Sequence, residues 1–393
     1  MRIGIDFRGA QCAGGSMNRG IGRYVVNLIL DLNRYAPEHE LTLFVREGFP
    51  IPTELDGLKS VTVGGRDWDS KKLQLWQKIP YIRSRPYLRK MHMNRAIRSQ
   101  GHAMEVALAK NPQDILHNPS ALDIGSYPIY TPNCPYVATF LDAIVYKSKD
   151  FWERCPSDLQ SYYLQQVEHL KKATRIVAIS QSAANDAQEV FGIVIKDVIY
   201  PSVDPKYGEP VDPILKDRYF LFCSVPDFHK NPKVVIEAFS RLETDAKLIF
   251  ISPQDDWLAP MMREFAEQCG VADRFEITGF VPEEQMASYF QHAIALVSPS
   301  QMEGFGLPVA QAMTAGTPVI TSKFSAQGEI AKDVGLLVDP NSVDEVAEVM
   351  IEVLAASTSE SWRSTGRVRA EQFEPKKIAS MWSQLYASVV AKK

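Results

Sequence analysis

Short runs of β-branched and aromatic residues alternate with stretches of helical periodicity along almost the whole chain. Such alternation is typical of a parallel sheet that helices cover on both faces, so the sequence predicts an α/β fold. The first half contains predicted strands at 2–7, 41–45, 60–63, 115–117, 136–140 and 175–179, and helices at 20–33, 71–98, 157–172 and 182–191. The second half contains predicted strands at 219–223, 247–251, 275–278, 293–297, 318–321 and 336–338, with helices between them.

A proline-rich stretch at 199–214 divides these two halves. Prolines remove backbone hydrogen-bond donors and prevent a continuous helix or central strand, so we predict that this stretch is a linker. A chain of 393 residues is also too long for one ordinary core. We therefore predict two doubly wound domains, 1–204 and 205–376, with an amphipathic helix at 377–393. Two such domains would face a central cleft at the carboxyl ends of their strands, where ligands bind in this kind of fold.

Composition narrows the class of protein. An apolar fraction of 45% and a charged fraction of 23% suit a folded chain. The five cysteines lie far apart in sequence, which favours neither a disulfide framework nor a zinc site and suits a reducing compartment. The opening residues 1–8 lack the apolar core of a secretory signal, and no apolar run approaches the roughly 20 residues that span a bilayer. A cytoplasmic location is expected.

The segment 71–98 holds nine lysines and arginines and no acidic residue, although the whole chain has a net charge of −4. Aromatic residues are interleaved with these cations. The segment is either a solvated helical face or a surface that docks on the anionic inner face of a membrane. No recognisable nucleic-acid module accompanies it, so we expect no nucleic-acid partner.

The stretch 298–313 carries the strongest chemical signal. It follows a predicted strand, and Pro308 is well placed as the first residue of a helix, where its missing N–H costs nothing. Gly316 then ends that helix. Glycines before Pro308 let the backbone approach a ligand, and free amides at a helix start bind anions, so a diphosphate would fit. The candidate ligand-binding residues of this loop are Gly304, Phe305, Gly306 and Leu307.

Two polar side chains flank this loop. The carboxylate of Glu303 can accept hydrogen bonds from sugar hydroxyls. Gln311, one turn into the helix, can both donate to and accept from ribose hydroxyls. A purely structural alternative is a tight strand-to-helix turn whose glycines serve geometry alone.

The run 298–340 resembles the donor-binding half of glycosyltransferase family 4. The family signature is Glu-x7-Glu, and this chain has Glu303 followed by Gln311 at that spacing. Residues 228–231 resemble the family's Arg-Lys-Asn segment, whose lysine, here Lys230, pairs with the diphosphate.

The first half of the chain resembles the same family. Gly20 and Gly22 match the glycine loop at the start of the first domain's leading helix, which touches the donor phosphate or sugar. Residues 175–180 and 200–204 resemble the strand and linker that end that domain. The resemblance covers nearly the whole chain and is weakest from 66 to 110.

This resemblance implies the GT-B fold, with an acceptor-binding first domain, a donor-binding second domain and a final helix that crosses back onto the first. It implies a retaining transfer without a required metal or any cofactor, the nucleoside diphosphate sugar being a co-substrate. Glu303 and Lys230 would be catalytic, and Lys230 and the helix start would stabilise the leaving diphosphate. Stabilisation of developing charge is usually the largest single contribution to catalysis.

Three family positions are changed in this chain. The family's arginine before Lys230 is His229, which would be mostly neutral near pH 7 and would weaken the positive field. The second glutamate of the signature is Gln311, which keeps its hydrogen-bonding ability. A histidine that precedes an aspartate in the family is Leu141, which offers no polar atom.

The change at Leu141 suggests a donor preference. We hypothesise that Leu141 faces C6 of the donor sugar and favours a 6-deoxyhexose, because a buried hydroxyl without a partner costs about 1–3 kcal/mol. The alternative is that Leu141 is an ordinary core residue. The adjacent Asp142 is a candidate catalytic residue near the acceptor. His117 ends a strand and is either an acceptor contact or a structural histidine.

The sequence thus predicts a glycosyltransferase of surface glycan biosynthesis. It would move a hexose or 6-deoxyhexose from a nucleoside diphosphate sugar to a lipid-linked or polysaccharide acceptor, and a guanosine donor is favoured because residues 20–24 resemble mannosyl- and rhamnosyl-type members. One alternative is a catalytically silent GT-B module that only binds nucleotide. Another is a GT-B nucleotide-sugar epimerase.

Overall fold

The computed structural model describes residues 1–11, 20–65, 86–123, 126–127, 132–225, 227–252, 258–356 and 360–391. The chain forms two compact units. The N-terminal unit comprises Met1–Ser202 together with Lys376–Lys393, and the C-terminal unit comprises Val203–Pro375.

The N-terminal unit is built on a seven-stranded parallel sheet in the order β3-β2-β1-β4-β5-β6-β7. The strand order reverses direction between β1 and β4, which opens a crevice at their carboxyl ends. The strands are β1 Arg2–Asp6, β2 Glu40–Arg46, β3 Lys59–Val63, β4 Ile115–Asn118, β5 Tyr136–Phe140, β6 Arg175–Ala178 and β7 Asp197–Val198.

Helices of this unit connect and cover the parallel strands. They are α1 Gly20–Tyr35, α2 Pro86–Lys110, α3 Ile144–Lys147, α4 Lys149–Arg154, α5 Ser157–Leu170 and α6 Gln181–Phe191. Ser180 caps α6 through its hydroxyl, which accepts from the Ala183 amide, and Gly192 ends the helix in the left-handed conformation. The last helix of the chain, α14 Pro375–Val390, belongs to this unit from its second residue onward.

The C-terminal unit contains a six-stranded parallel sheet in the order β10-β9-β8-β11-β12-β13. Its strand order reverses between β8 and β11. The strands are β8 Tyr219–Cys223, β9 Lys247–Ile251, β10 Phe275–Ile277, β11 Ala295–Ser298, β12 Val319–Ser322 and β13 Leu336–Val338. Every residue of β11 and β12 is buried, as expected for central strands that helices cover on both faces.

The helices of the C-terminal unit bury apolar faces against this sheet. They are α7 Pro232–Ser240, α8 Leu258–Gln268, α9 Glu283–Gln291, α10 Leu307–Ala315, α11 Ser325–Ile330, α12 Val343–Ala355 and α13 Glu360–Ala370. Ser342 caps the start of α12, since its hydroxyl accepts from the Glu345 amide at 3.1 Å. A single core cluster runs through β8, β9, β11, α7, α8 and α12, and it includes Phe222 stacked on Phe250 with ring centroids 4.3 Å apart.

The predicted α/β class with two doubly wound sheets is confirmed. The predicted strand boundaries agree with the structure to within one residue, except at the start of β11. That strand begins at Ala295 and not at Ala293, because the Ala293 amide still closes a turn onto Phe290 O at the end of α9. The two-residue strand β7 is too short to leave a pattern in the sequence. In the part of the chain described, no helix is both long and apolar enough to span a membrane.

Candidate functional site

The carboxyl ends of β8 and β11 bring the two most informative sequence motifs together. Residues 228–231 follow β8, and residues 299–306 follow β11, which is its neighbour in the sheet. Strand order reverses at this pair, and in doubly wound sheets such a reversal is the place where ligands bind, outside the carboxyl ends of the strands. The site therefore forms where the fold class predicts it.

Backbone and side-chain hydrogen bonds join the two loops. The Gln301 amide donates to His229 O at 2.8 Å. Asn231 adopts a left-handed conformation with φ 62°, which asparagine tolerates, and its side-chain amide donates to Pro299 O at 3.3 Å. These bonds hold the β8 loop in register with the β11 loop.

Lys230 and Glu303 form an ion pair across this junction. Lys230 Nζ lies 2.5 Å from Glu303 Oε1, and the side chains are only 18% and 13% exposed. The Ser300 hydroxyl donates to the same carboxylate oxygen at 3.3 Å. Partial shielding from water strengthens such a pair relative to one on the open surface. A cation and an anion are thus held side by side where the loops that follow β8 and β11 meet.

Gln327 supports the β11 loop from below. Its Oε1 accepts from the Ser300 amide at 3.2 Å, and its Nε2 donates to Ser298 Oγ at 2.9 Å. The side chain is buried, so both ends of its amide are satisfied within the protein. Sequence reasoning missed this residue because nothing local links position 327 to a loop nearly thirty residues earlier.

Gly306 sets the start of α10. It has φ 95° and ψ 56°, and a Cβ atom there would lie 3.0 Å from Gln327 Cγ. The helix begins at Leu307 and not at Pro308 as predicted, because the left-handed turn at Gly306 already places Leu307 in the first helical position. At the other end, Gly316 terminates α10 with φ 76°, as predicted.

The amides at this helix start are fewer than the sequence suggested. Glycine at the cap position has no side chain to offer them, and Pro308 has no N–H. Val309 already donates to Gly306 O at 2.9 Å, so Leu307 supplies the first helical amide able to face an anion. Phe305 points into the protein, where its ring packs edge-on against Phe373 at 5.4 Å, so its side chain anchors the loop.

His229 is neutral near pH 7 in this environment. Burial, followed by the positive charge of Lys230, lowers the pKa of the imidazole below its ordinary 6.5, and the nearby carboxylate of Glu303 only partly opposes this. The positive charge where these loops meet therefore comes from Lys230 and from the helix start, not from His229.

Gln311 lies four residues into α10 and is 8% exposed. Its Nε2 donates to the hydroxyl of Tyr207 at 2.8 Å, and that hydroxyl donates to Glu283 Oε1 at 2.9 Å. Sequence reasoning placed Tyr207 in a linker and assigned it no role. No local signal could have found it, because it lies 104 residues from its partner.

The candidate residues of the N-terminal unit lie at two strand-to-helix connections. Gly20 and Gly22 are the first and third residues of α1, and the segment 12–19 that leads into it lies outside the described residues. Leu141 is buried just after β5. The Asp142 carboxylate accepts from the Ile144 amide at 3.0 Å, which fixes the start of α3.

His117 is held as a structural residue. Its ring is fully buried, with Nδ1 2.7 Å from the Tyr386 hydroxyl and Nε2 2.8 Å from Thr139 Oγ1. Trp382 packs on the ring at 4.6 Å between centroids. Burial lowers the pKa of His117 to about 3, so the imidazole is neutral. Of the two interpretations of His117, the structural one holds, and the residue joins β4 and β5 to the last helix.

A buried ion pair that sequence reasoning missed lies at the carboxyl end of β1. The guanidinium of Arg8 grips Asp6 with two bonds of 2.8 Å, from Nε to Oδ1 and from Nη2 to Oδ2. Both side chains are buried, and Arg8 Nη1 also donates to Gln100 O at 3.0 Å. Because both charges of this ion pair are neutralised and hydrogen-bonded, the pair fixes the backbone conformation of the segment that follows β1.

Part of the predicted membrane-docking segment lies outside the described residues, namely 71–85. Its remainder forms the first half of α2, where Lys90, Arg95 and Arg98 are exposed while Met93 and Ile97 are buried. Within the described ranges, no group of three histidine, cysteine or acidic side chains is arranged to hold a metal ion.

Two family models match the chain, one on each side of the linker. The model described as Glycosyltransferase Family 4 matches residues 18–207, and the model described as Glycosyl transferases group 1 matches residues 209–369. The second match contains both Glu303 and Lys230.

Similar proteins agree with these matches. O-antigen chain mannosyltransferase B of Escherichia coli is 25% identical, with 90% of this chain and 92% of that protein covered. Serotype-specific mannosyltransferase WbdA of Escherichia coli is also 25% identical, and the alignment covers 95% of this chain but 48% of that longer protein. The solved structure of sucrose-phosphate synthase from Thermosynechococcus elongatus superposes with a TM-score of 0.77 at 18% identity over the full length of both chains, which shows a shared fold.

Proposed function

The chain belongs to glycosyltransferase family 4, and from this membership we propose that it builds a surface glycan. It moves a hexose or 6-deoxyhexose from a nucleoside diphosphate sugar, with a guanosine donor favoured, to a lipid-linked or polysaccharide acceptor. The names of the two Escherichia coli relatives, both mannosyltransferases, support a mannose-type donor, and that of the first, an O-antigen chain enzyme, supports a glycan acceptor.

The observation that carries this proposal is the ion pair between Lys230 and Glu303 beside the start of α10. A bound donor replaces this pair with two matched contacts. The diphosphate takes the ammonium of Lys230 and the amide of Leu307, while hydroxyls of the sugar donate to the carboxylate of Glu303.

Transfer then proceeds with retention. The bond between the anomeric carbon and the diphosphate oxygen breaks, and the bond from the acceptor oxygen to that carbon forms on the same face. The acceptor proton passes to an oxygen of the departing phosphate. Lys230 stabilises the negative charge that grows on the diphosphate, which is where preorganised electrostatics contribute most. The reaction uses no metal and no cofactor beyond the donor.

The donor sugar is selected partly by Leu141, which lacks the polar atoms that would satisfy a 6-hydroxyl group. A methyl group at C6 packs against leucine without loss, whereas a buried hydroxyl without a partner costs about 1–3 kcal/mol. Asp142 is the acidic group proposed to lie near the acceptor, and its bond to Ile144 holds it in place.

A donor panel tests the function directly. The enzyme is incubated with guanosine, uridine and thymidine diphosphate sugars and glycan acceptors, and products are detected by mass spectrometry. We expect transfer or hydrolysis from a guanosine diphosphate hexose or 6-deoxyhexose, and none from Glu303→Ala. Binding of nucleoside diphosphate without turnover of any donor would instead favour a catalytically silent nucleotide-binding module.

The proposed enzyme acts at the cytoplasmic face of a membrane that carries the acceptor. The exposed cations Lys90, Arg95 and Arg98 of α2 support this, because each basic residue near an anionic leaflet contributes about 1 kcal/mol. Vesicle flotation at low salt is the test. Tighter binding to anionic than to neutral vesicles, weakened by salt, is expected, and equal binding to both would overturn the membrane part of the proposal.

A further inference from the structure

The hydroxyl of Tyr207 sits between two side chains of the C-terminal unit. Gln311 Nε2 lies 2.8 Å from it on one side and Glu283 Oε1 lies 2.9 Å on the other. Lys206 Nζ lies 3.2 Å from the same oxygen of Glu283. Tyr207 is fully buried, and its ring packs edge-on against Phe290 at 5.6 Å, so the hydroxyl has a fixed position.

The chemistry of the three groups gives the chain of hydrogen bonds one direction. An ionised carboxylate can only accept hydrogen bonds, so the single hydroxyl proton of Tyr207 is donated to Glu283. The hydroxyl oxygen can then only accept from Gln311, which must present its NH2 group and not its carbonyl group. The nitrogen of the Gln311 amide is therefore committed to the protein, and the carbonyl oxygen is the atom left to meet a ligand.

We propose that Tyr207 is a positioning residue for donor binding. By accepting from the NH2 group of Gln311, it orients that side chain so that the Gln311 carbonyl oxygen accepts a hydrogen bond from a hydroxyl of the nucleotide sugar. Glu283 sets this orientation, because it accepts the hydrogen bond from the Tyr207 hydroxyl. This inference rests on the proposed function for the identity of the ligand. The hydrogen-bond chain itself rests on the structure alone.

The chain also explains why glutamine stands at position 311. A glutamate there would place a second carboxylate against a hydroxyl whose only proton already belongs to Glu283. One buried acceptor would lose its donor, and two negative charges would face each other across one oxygen. Glutamine is the residue that fits a site which Tyr207 and Glu283 have already polarised.

A charge-conserving exchange tests this direction. Gln311→Glu alone is expected to weaken binding of guanosine diphosphate about tenfold and to lower the melting temperature. Combining it with Glu283→Gln reverses the chain, because the new glutamine at 283 donates to Tyr207 and Tyr207 donates to the new glutamate at 311. The double variant should therefore have a higher affinity for guanosine diphosphate and a higher melting temperature than the summed effects of the two single changes predict. Strictly additive effects would overturn the proposal.

A second experiment separates positioning from mere stability. Tyr207→Phe keeps the ring and removes only the hydroxyl, and it should raise the donor KM about threefold to tenfold while kcat changes less than about twofold. Tyr219→Phe is the matched control, since it removes another buried hydroxyl of the same unit, one that donates to Tyr289 O at 2.9 Å. It should lower only the melting temperature. If the two variants share the same donor KM as wild type, Tyr207 has no positioning role.

The two experiments also tell the two proposals apart. The melting-temperature cycle at positions 311 and 283 needs no ligand and judges the hydrogen-bond chain by itself. If the wild-type protein binds no nucleoside diphosphate but the double variant still recovers melting temperature, the proposed function is wrong and the hydrogen-bond chain is supported. If the wild type binds nucleotide but the double variant recovers no melting temperature, the hydrogen-bond chain is wrong and the proposed function stands.

Discussion

Lys230 Nζ and Glu303 Oε1 lie 2.5 Å apart, although 73 residues separate them in sequence and they come from loops that follow two different strands. The pairing neutralises two charges that would each be costly to leave alone in a shielded crevice. Under the proposed function a donor displaces each partner from the other, so that nucleotide binding and sugar binding are linked through this one contact.

Removing the negative partner should separate these two events. We expect Glu303→Gln to lower transfer at least about a hundredfold, since the charged acceptor for the sugar hydroxyls is lost. Binding of nucleoside diphosphate without a sugar should persist or tighten, because Lys230 no longer has a carboxylate to satisfy. Steady-state kinetics and titration calorimetry measure the two effects. Parallel loss of both would contradict this assignment of Glu303.

Removing the positive charge of Lys230 should mainly weaken the binding of the nucleotide. Lys230→Gln is expected to raise the dissociation constant of nucleoside diphosphate about tenfold to a hundredfold, since a charge-assisted contact to phosphate is lost and Glu303 is left without its cation. Lys233→Gln is the matched control, because Lys233 lies three residues away over the ring of Phe265. That variant should bind as wild type does. Equal effects of the two changes would argue for a general loss of positive field.

The left-handed turn before α10 is the next element to test. Gly306→Ala must hold a side chain at φ 95° and within 3.0 Å of Gln327, so the loop is expected to shift and donor affinity to fall at least about tenfold. Gly192→Ala pays a similar conformational cost at φ 65°, but its Cβ would meet nothing within 4 Å and it lies at the end of α6. It should cost only about 1 kcal/mol of stability and leave donor binding unchanged.

The sequence predicts the fold well because its signals are local. Period-two runs and glycine or proline boundaries lie within each element, and four strands match their predictions to the residue: Tyr136–Phe140, Tyr219–Cys223, Lys247–Ile251 and Leu336–Val338. The start of β11 was missed because the turn onto Phe290 has the same apolar character as the strand that follows it.

The site is only partly predictable for the opposite reason. The two loops can be located because each follows a strand whose neighbour is fixed by the rule for doubly wound sheets. The supports of the site are long-range contacts without a local pattern. Gln327 under Ser300 and Tyr207 beside Gln311 become visible only when the chain is folded.

The buried histidine of the N-terminal unit gives a prediction on pH. The fold lowers the pKa of His117 to about 3 from its ordinary 6.5, so the unfolded chain binds the extra proton first as the pH falls. This contribution to stability is complete above pH 6.5 and is lost toward pH 3, at up to about 1.4 kcal/mol per pH unit. His117→Gln cannot titrate and should lack it.

Chemical denaturation at two pH values measures this difference. At pH 7 the glutamine variant is expected to be less stable by about 1–2 kcal/mol, because its amide fits the bonds to Tyr386 and Thr139 less well. By pH 4.5 the wild type should have lost roughly 2–3 kcal/mol of stability relative to the variant, so the gap closes and the order of stability reverses. A gap that stays constant over this range would mean that His117 does not resist protonation in the folded state.

Leu141 offers a test of donor choice at a single buried position. Leu141→His supplies a polar partner for a 6-hydroxyl group where leucine has none, so the ratio of kcat/KM for a hexose over its 6-deoxy form should rise about tenfold. Leu141→Met is the control, because methionine keeps the apolar character and nearly the same volume, and its ratio should match wild type. The measurement uses both sugars carried by the same nucleotide at equal concentration. If wild type already prefers the ordinary hexose and histidine leaves the ratio unchanged, the side chain at 141 does not face C6. Leu141 would then serve only the packing behind β5, where it is buried.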